Sequence, residues 1–240
     1  MKQIVIITPV PDTIDNLIAN SMLRQAVERN IVEFHVVNLR DFAKGSYRQI
    51  DDEPFGGGGG MVLMAEPLFK AIDYSLELLG SDDVQVVYSS PQGIQWTHEL
   101  AMENSYIDKL IFICGHYKGI DERVVEKYVT HEYSIGDFVV TAGELPTMLI
   151  IDSIVRLIPG VLNTYDSAMS DTFAADLLDA PYYTRPREIE DMEVPNVLIE
   201  GHHKKIDEWR NAQREERTKD KRPDIWEKYL DKKDSTEKKK

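Results

Sequence analysis

The sequence predicts an α/β fold built on a parallel sheet, followed by a small C-terminal helical domain. Three observations carry this reading. Short apolar runs rich in β-branched residues recur along the first 140 positions, separated by stretches with helical spacing. Glycine-bearing turns follow three of those runs, near residues 90, 114 and 140. After Pro186 the apolar runs give way to charged helical sequence, with Trp209 and Trp226 as its large apolar anchors.

Residues 3–8 (Gln-Ile-Val-Ile-Ile-Thr) read as a strand covered on both faces, since they form one unbroken apolar run. Residues 14–29 place Ile14, Leu17, Ile18, Met22, Leu23 and Val27 at helical spacing, which predicts one helix. Residues 31–39 alternate as a strand, and 40–60 form a loop ending in five glycines, Gly56 to Gly60. Residues 66–79 are predicted helical, 84–89 a strand, 97–105 a helix and 109–114 (Lys-Leu-Ile-Phe-Ile-Cys) another buried strand. A helix over 120–130, a short strand over 137–141 and an apolar helix over 144–158, stopped by Pro159-Gly160, complete this region. The domain layout is then 1–160, a polar interdomain linker over 161–172, a helical domain over 173–230 and a charged, disordered tail over 231–240. Ligands in open α/β sheets gather at the carboxyl ends of strands, so the three glycine turns are expected to meet at one site.

Composition narrows the function classes. With 42% hydrophobic and 29% charged residues, the 240-residue chain suits a globular protein in water. No apolar run reaches 18 residues, so no transmembrane helix is expected. The opening run stops at Pro9 and Pro11 without a small-residue cleavage site, which favours a core strand over a signal peptide. The single cysteine, Cys114, excludes an internal disulfide and fits a reducing cytoplasm; in an apolar strand it is not expected to act as a nucleophile. A net charge of -14 argues against a generic nucleic-acid binder, but the charge is uneven. Residues 201–240 hold 14 Lys+Arg against 10 Asp+Glu, so RNA binding would rest on this C-terminal region.

The densest motif is Ser134-Ile-Gly-Asp-Phe-Val-Val-Thr-Ala-Gly-Glu-Leu-Pro146. Its small residues let backbone approach something closely, which suits a flat ligand with polar edges such as adenine; a tight buried turn is the plain alternative. Ser90-Pro-Gln-Gly93 alone reads as a turn. Gly56 to Gly60 lack the Lys-Ser/Thr of a phosphate-binding loop and read as a flexible hinge. His116 has no second histidine at metal-ligand spacing, and His202-His203 lie far along the chain, so no metal site is expected. On their own, Arg156 reads as a salt-bridge partner at a helix end and Asp171 as a solvated carboxylate. Arg210, Arg214 and Arg217 read as a solvated helix face.

Taken together, these segments form an ordered set. It runs from Asp51-Asp-Glu-Pro-Phe-Gly-Gly-Gly-Gly-Gly-Met61 through Ser90-Pro-Gln-Gly93, Cys114-Gly-His-Tyr-Lys-Gly-Ile-Asp-Glu-Arg123 and Ser134–Pro146. It ends with Arg156-Leu-Ile-Pro-Gly160, Asp171 and Tyr183-Thr-Arg-Pro186. In this order and spacing the chain resembles the bacterial tRNA (guanine-N1)-methyltransferases of the SPOUT class over about residues 1–225. The resemblance implies S-adenosylmethionine-dependent methylation of N1 of guanosine 37 in tRNA, in the cytoplasm. It also implies a deep trefoil knot formed by the loops near 90, 115 and 140, and a homodimer with its active site at the subunit interface. By the same resemblance, Tyr88, Gly115 and Ile135, Gly136, Asp137, Phe138, Val139 and Val140 would hold adenine and ribose. Ser90, Pro91 and Tyr117 would share the site, and Ala142, Gly143 and Pro146 would complete its wall. Asp171 would remove the N1 proton as general base, and Arg156 would stabilise the charge on O6. Asp52, Asp179, Arg185, Arg210 and Arg214 would contact the RNA substrate.

Four positions depart from the resembled pattern. Lys118 stands in place of a usual Glu and cannot ligate a cation, which sets a requirement for Mg²⁺ in question. Asp176 and Ala142 stand in place of usual glycines, and Tyr182 in place of a usual His. Two further readings share these residues: a non-catalytic relative that binds RNA or the donor, and a SPOUT methyltransferase with another RNA target.

Overall fold

In the computed structural model, which describes residues 1–81, 83–162, 172–173 and 176–237, the chain divides into two units, Met1–Tyr165 and Asp166–Lys240. The first unit runs β1 (Lys2–Thr8), α1 (Pro11–Ala19), α2 (Met22–Glu28), β2 (Val32–Asn38), then the two-residue strands β3 (Asp51–Asp52) and β4 (Val62–Leu63). It continues α3 (Ala65–Leu79), β5 (Gln85–Gln95), α4 (His98–Ser105), β6 (Lys109–Ile113), α5 (Glu122–Tyr128), β7 (His131–Ser134) and α6 (Glu144–Val155). Five strands pair in the order β2-β1-β6-β5-β7, all parallel, as the alternating pattern predicts. β3 and β4 form a separate antiparallel pair.

The unbroken apolar runs follow from burial on both faces of this sheet. Successive side chains in a strand point to opposite faces. Ile4, Ile6, Leu110, Phe112 and Val87 therefore join Ile14, Leu23, Ala26, Ile150, Ile151 and Ile154 from α1, α2 and α6. Val5, Ile7, Ile111, Ile113 and Val86 join Leu68, Ala71, Ile72 and Val124 from α3 and α5. Each fully buried Ile or Leu contributes about 2 kcal/mol of transfer free energy, so the two layers hold the sheet between them.

Three local expectations are corrected. The helix over 14–29 is two helices, because Ser21 caps α2 by accepting from the Leu23 amide at 3.2 Å and interrupts the path. No strand forms over 137–141: Gly136 takes φ 141 and the Phe138 amide turns back to the Gly136 carbonyl at 2.9 Å. The last strand is instead His131–Ser134, whose short polar sequence carries no apolar run to mark it. Ser90-Pro-Gln-Gly93 is not a terminal turn either. It lies inside β5, where the pairing with β7 shifts between Ser89 and Ile94.

The second unit carries a hairpin, β8 (Glu188–Ile189) and β9 (Met192–Glu193), turned at Glu190 and Asp191, which both take positive φ. Two helices follow, α7 (His203–Lys221) and α8 (Pro223–Glu237), so helix extends past Asp231 into the charged tail. Trp226 stacks on Tyr229 at 5.4 Å between ring centres. Thr218, fully buried, accepts from the Leu178 amide at 2.8 Å and donates to the Arg214 carbonyl at 2.7 Å. Asp176 takes φ 54, the left-handed region where glycine is usual, and its carboxylate meets Lys232 at 2.8 Å.

Candidate active site

The carboxyl ends of β5, β6 and β7 and the start of α6 enclose one cleft, with about 640 Å³ of empty space including solvent at its mouth. This is where parallel sheets place ligands. Its walls are mostly backbone brought into contact by glycine. The Gly143 amide donates to the Gly115 carbonyl at 2.7 Å, and His116 and Ala142 form a bridge. A Cβ on Gly143 would lie 2.5 Å from the Gly115 nitrogen, and one on Gly115 would lie 2.9 Å from the Tyr88 ring. A side chain at Gly143 would force the two loops apart, and one at Gly115 would displace the Tyr88 ring. α6 is pinned to the sheet by Ser89 with Thr147 at 3.0 Å and by Trp96 Nε1 donating to Ser153 at 2.8 Å.

At the inner wall a charged group is held under the cleft. Glu144, 2% exposed in the first turn of α6, faces His116 Nε2 at 2.8 and 2.9 Å and accepts from Thr8 Oγ1 at 2.5 Å. Burial pushes its carboxyl up, but the hydrogen bonds from His116 and Thr8 and the attraction of His116 outweigh it and hold the carboxyl below its usual value. Burial, reinforced by Glu132, pushes the Tyr88 hydroxyl up to about 12. Burial, then the charge of Glu144, pushes the Cys114 thiol well above its usual value, so Cys114 is an inert core group.

Most of the residues expected at a methyl-donor site line this one cleft: Tyr88, Ser90, Pro91, Gly115, Tyr117, Ile135, Gly136, Phe138, Val139, Val140, Ala142, Gly143 and Pro146. Asp137 does not; it is exposed outside the lining. Ser134 and Thr141, from the same Ser134–Pro146 motif, also line the cleft, and Ser89, His116, Lys118, Gly119 and Tyr133 do so without having been expected there. Nothing in the spacing of Thr8, His116 and Glu144 links them; only the sheet brings them together. Asp52 lies on β3, exposed, and caps the Glu53 amide at 2.8 Å. Its partner β4 is tied to the cleft wall, since the Leu63 amide donates to the Gly119 carbonyl and the Lys118 amide to the Met61 carbonyl, both at 3.0 Å.

Arg156 stands at the far end of α6 and does not line the cleft. At 1.5 Å per residue, roughly 15 Å of helix separate it from Pro146. Asp171 lies outside the described residues. In the second unit, Asp179 lines a separate hollow with Arg217 and Lys221. Arg185 and Arg210 are exposed. Arg214 turns inward instead of offering its head to solvent: Nε donates to the Leu178 carbonyl at 3.3 Å, and Nη2 is buried with no hydrogen-bond partner among the described residues. Among the described residues no group of three His, Cys, Asp or Glu side chains is placed to hold a metal ion, and no helix is long and apolar enough to cross a membrane.

The model of the family described as tRNA (Guanine-1)-methyltransferase TrmD matches residues 1–228. The tRNA (guanine-N(1)-)-methyltransferase of Brevibacillus brevis is 47% identical over 223 residues, 93% of this chain and 90% of that protein. The protein of the same name from Clostridioides difficile is 42% identical over 227 residues, 95% of this chain and 98% of its own length. That from Staphylococcus haemolyticus is 46% identical over 223 residues, 93% and 90%.

Proposed function

The chain belongs to the tRNA (guanine-N1)-methyltransferase family, and from that premise we propose that it methylates N1 of guanosine 37 in tRNA, beside the anticodon, with S-adenosylmethionine as donor. The observation that carries the donor assignment is the cleft whose walls are bare backbone at Gly115, Gly136 and Gly143. Such walls let backbone approach a flat purine closely, and a Cβ at Gly143 or Gly115 would displace the wall itself by striking the Gly115 backbone or the Tyr88 ring. The amides and carbonyls of Ile135 to Val140 hold the adenine edge, and Ala142, Gly143 and Pro146 close the wall. The donor supplies an electrophilic methyl group on a sulfonium, passed in line to the base with no covalent enzyme intermediate.

The target guanine is flipped out of its stack to reach the cleft, which costs a few kcal/mol, recovered through pocket contacts. Asp171 accepts the N1 proton, and the Arg156 guanidinium holds the charge that moves onto O6. Asp52 and Asp179 contact the target region, and Arg185 and Arg210 meet phosphates. Arg214 would have to leave the Leu178 carbonyl to join them.

Arg156 lies a helix length from the cleft of its own chain, which supports a homodimer in which each cleft is completed by a second copy. Leu145 and Leu149, 57% and 60% exposed one turn apart on α6, supply an apolar face for that contact. The 115 and 142 loops, closed by the Gly143 to Gly115 hydrogen bond, are where a trefoil knot would be drawn tight. The proposed layout keeps the catalytic domain at 1–160, the linker at 161–172 and a tRNA-binding region from 173, in a cytoplasmic enzyme.

The test uses labelled S-adenosylmethionine and two tRNA transcripts, one with guanosine at 36 and 37 and one with adenosine at 37. Label should appear as N1-methylguanosine on the first alone. Asp171→Asn should abolish transfer while leaving donor binding intact; transfer that survives it would overturn the base assignment, and donor binding without any transfer by the wild type would favour a non-catalytic relative.

A further inference from the structure

Two basic side chains line the cleft, His116 and Lys118, and among the described residues no carboxylate lines it. His116 is already matched by Glu144 at 2.8 Å, whereas no ion pair is formed by Lys118 among the described residues. Lys118 is nonetheless directed. Its amide donates to the Met61 carbonyl at 3.0 Å, and the following Gly119 amide donates to the His116 carbonyl at 2.9 Å. Tyr117 before it takes φ 59, which closes the turn. Its stem runs over Gly60, where an added Cβ would lie 3.1 Å from Cγ and 3.2 Å from Cε. The last glycine of the Gly56–Gly60 run thus makes room for this stem, a use that the hinge reading does not provide.

We propose that the Lys118 ammonium binds the α-carboxylate of the methyl donor. This rests on the assignment of the cleft to S-adenosylmethionine. The donor bears two positive groups, the sulfonium and the α-ammonium, and one negative group, the carboxylate. An uncompensated lysine in the cleft attracts only the last of these. The donor is therefore oriented with its carboxylate at the turn over 116–119 and its adenine against the backbone over 135–140. Glu144 stays out of this exchange because His116 and Thr8 hold it beneath the wall. The cleft thereby gains a means of selecting intact donor over nucleosides that lack the amino-acid carboxylate.

The experiment titrates wild type and Lys118→Ala calorimetrically, without RNA, with S-adenosylhomocysteine and with its amine analogue lacking only the carboxylate. Wild type should bind S-adenosylhomocysteine about fivefold tighter than the amine, as expected for a partly exposed charge pair. Lys118→Ala should lose that preference by weakening S-adenosylhomocysteine alone, and Lys118→Arg should restore most of it. Equal losses for both ligands, no loss for either, or a defect confined to tRNA binding would each overturn the proposal. Failure of wild type to bind either ligand would overturn the donor assignment itself, and this proposal with it. Lys118 is exposed, so its variants should keep the wild-type circular dichroism and melting temperature.

Discussion

Glu144 shows how a single residue can join three distant stretches of chain. Its carboxylate binds Thr8 at the end of β1 and His116 after β6, from the first turn of α6, where the helix dipole also favours negative charge. Glu144→Gln should cost roughly 2 kcal/mol, since buried partners are left with poorer hydrogen bonds. The pH dependence follows from the direction of the shift. The folded carboxyl titrates below its usual value of 4.5, so its contribution is complete above that pH and is lost as pH falls through the folded value. Denaturant melts at pH 7 and pH 3 should show the difference between wild type and Glu144→Gln shrinking at the lower pH. Gly143 and Gly59 make an opposite pair. A Cβ on Gly143 would collide with the Gly115 backbone, whereas one on Gly59 meets nothing within 4 Å. Gly143→Ala should therefore weaken binding of S-adenosylhomocysteine at least tenfold, while Gly59→Ala leaves it unchanged; roughly 1.4 kcal/mol of loop displacement is enough for such a factor. Calorimetric titration checks both. The glycines were legible as close-approach sites from their density, but which backbone each one meets was not.

Among the elements, β1 concentrates the most information. Its apolar run predicted a buried strand, and it pairs with both β2 and β6. Its first residue is an exception to that pattern. Lys2 is 5% exposed, with Nζ donating to the Ile107 carbonyl and, at 3.0 Å, to the Asn104 carbonyl. Burial pulls the amine down to about 8, against a smaller opposing pull from Asp108. A lowered lysine binds its proton more weakly when folded than when unfolded. The resulting penalty is present below pH 8 and is relieved as pH rises toward 10.5, a change of roughly 3 kcal/mol. Lys2→Met should show a stability advantage over wild type that narrows across this window in chemical melts. Elements were legible where they bury long apolar runs, as in β1, β6 and α6. They were missed where short polar sequence is recruited by neighbours: β7 pairs only because β5 supplies its edge, and the α1–α2 break depends on one serine cap.

For the whole molecule, the placement of Arg156 far from its own cleft leads to a prediction about assembly. Arg156→Ala and Gly136→Ala should each abolish transfer, the second because φ 141 at Gly136 is barred to a side chain. Mixed after unfolding and refolding together, the two variants should regain about a quarter of wild-type activity, since half the dimers then carry one intact site of two. Sedimentation equilibrium should give twice the chain mass, and a monomer without complementation would defeat the dimer. Read alone, the residues settled the α/β class, the parallel sheet and the cluster of small residues that builds the cleft, because these depend on local period, steric size and order along the chain. Folding decided what depends on distance between remote positions: the Thr8–His116–Glu144 contact, the exclusion of Asp137 from the cleft, the inward turn of Arg214 and the alignment of Lys118 over Gly60. The contacts among them join segments tens of residues apart, and no local spacing encodes them until tertiary packing brings those segments together.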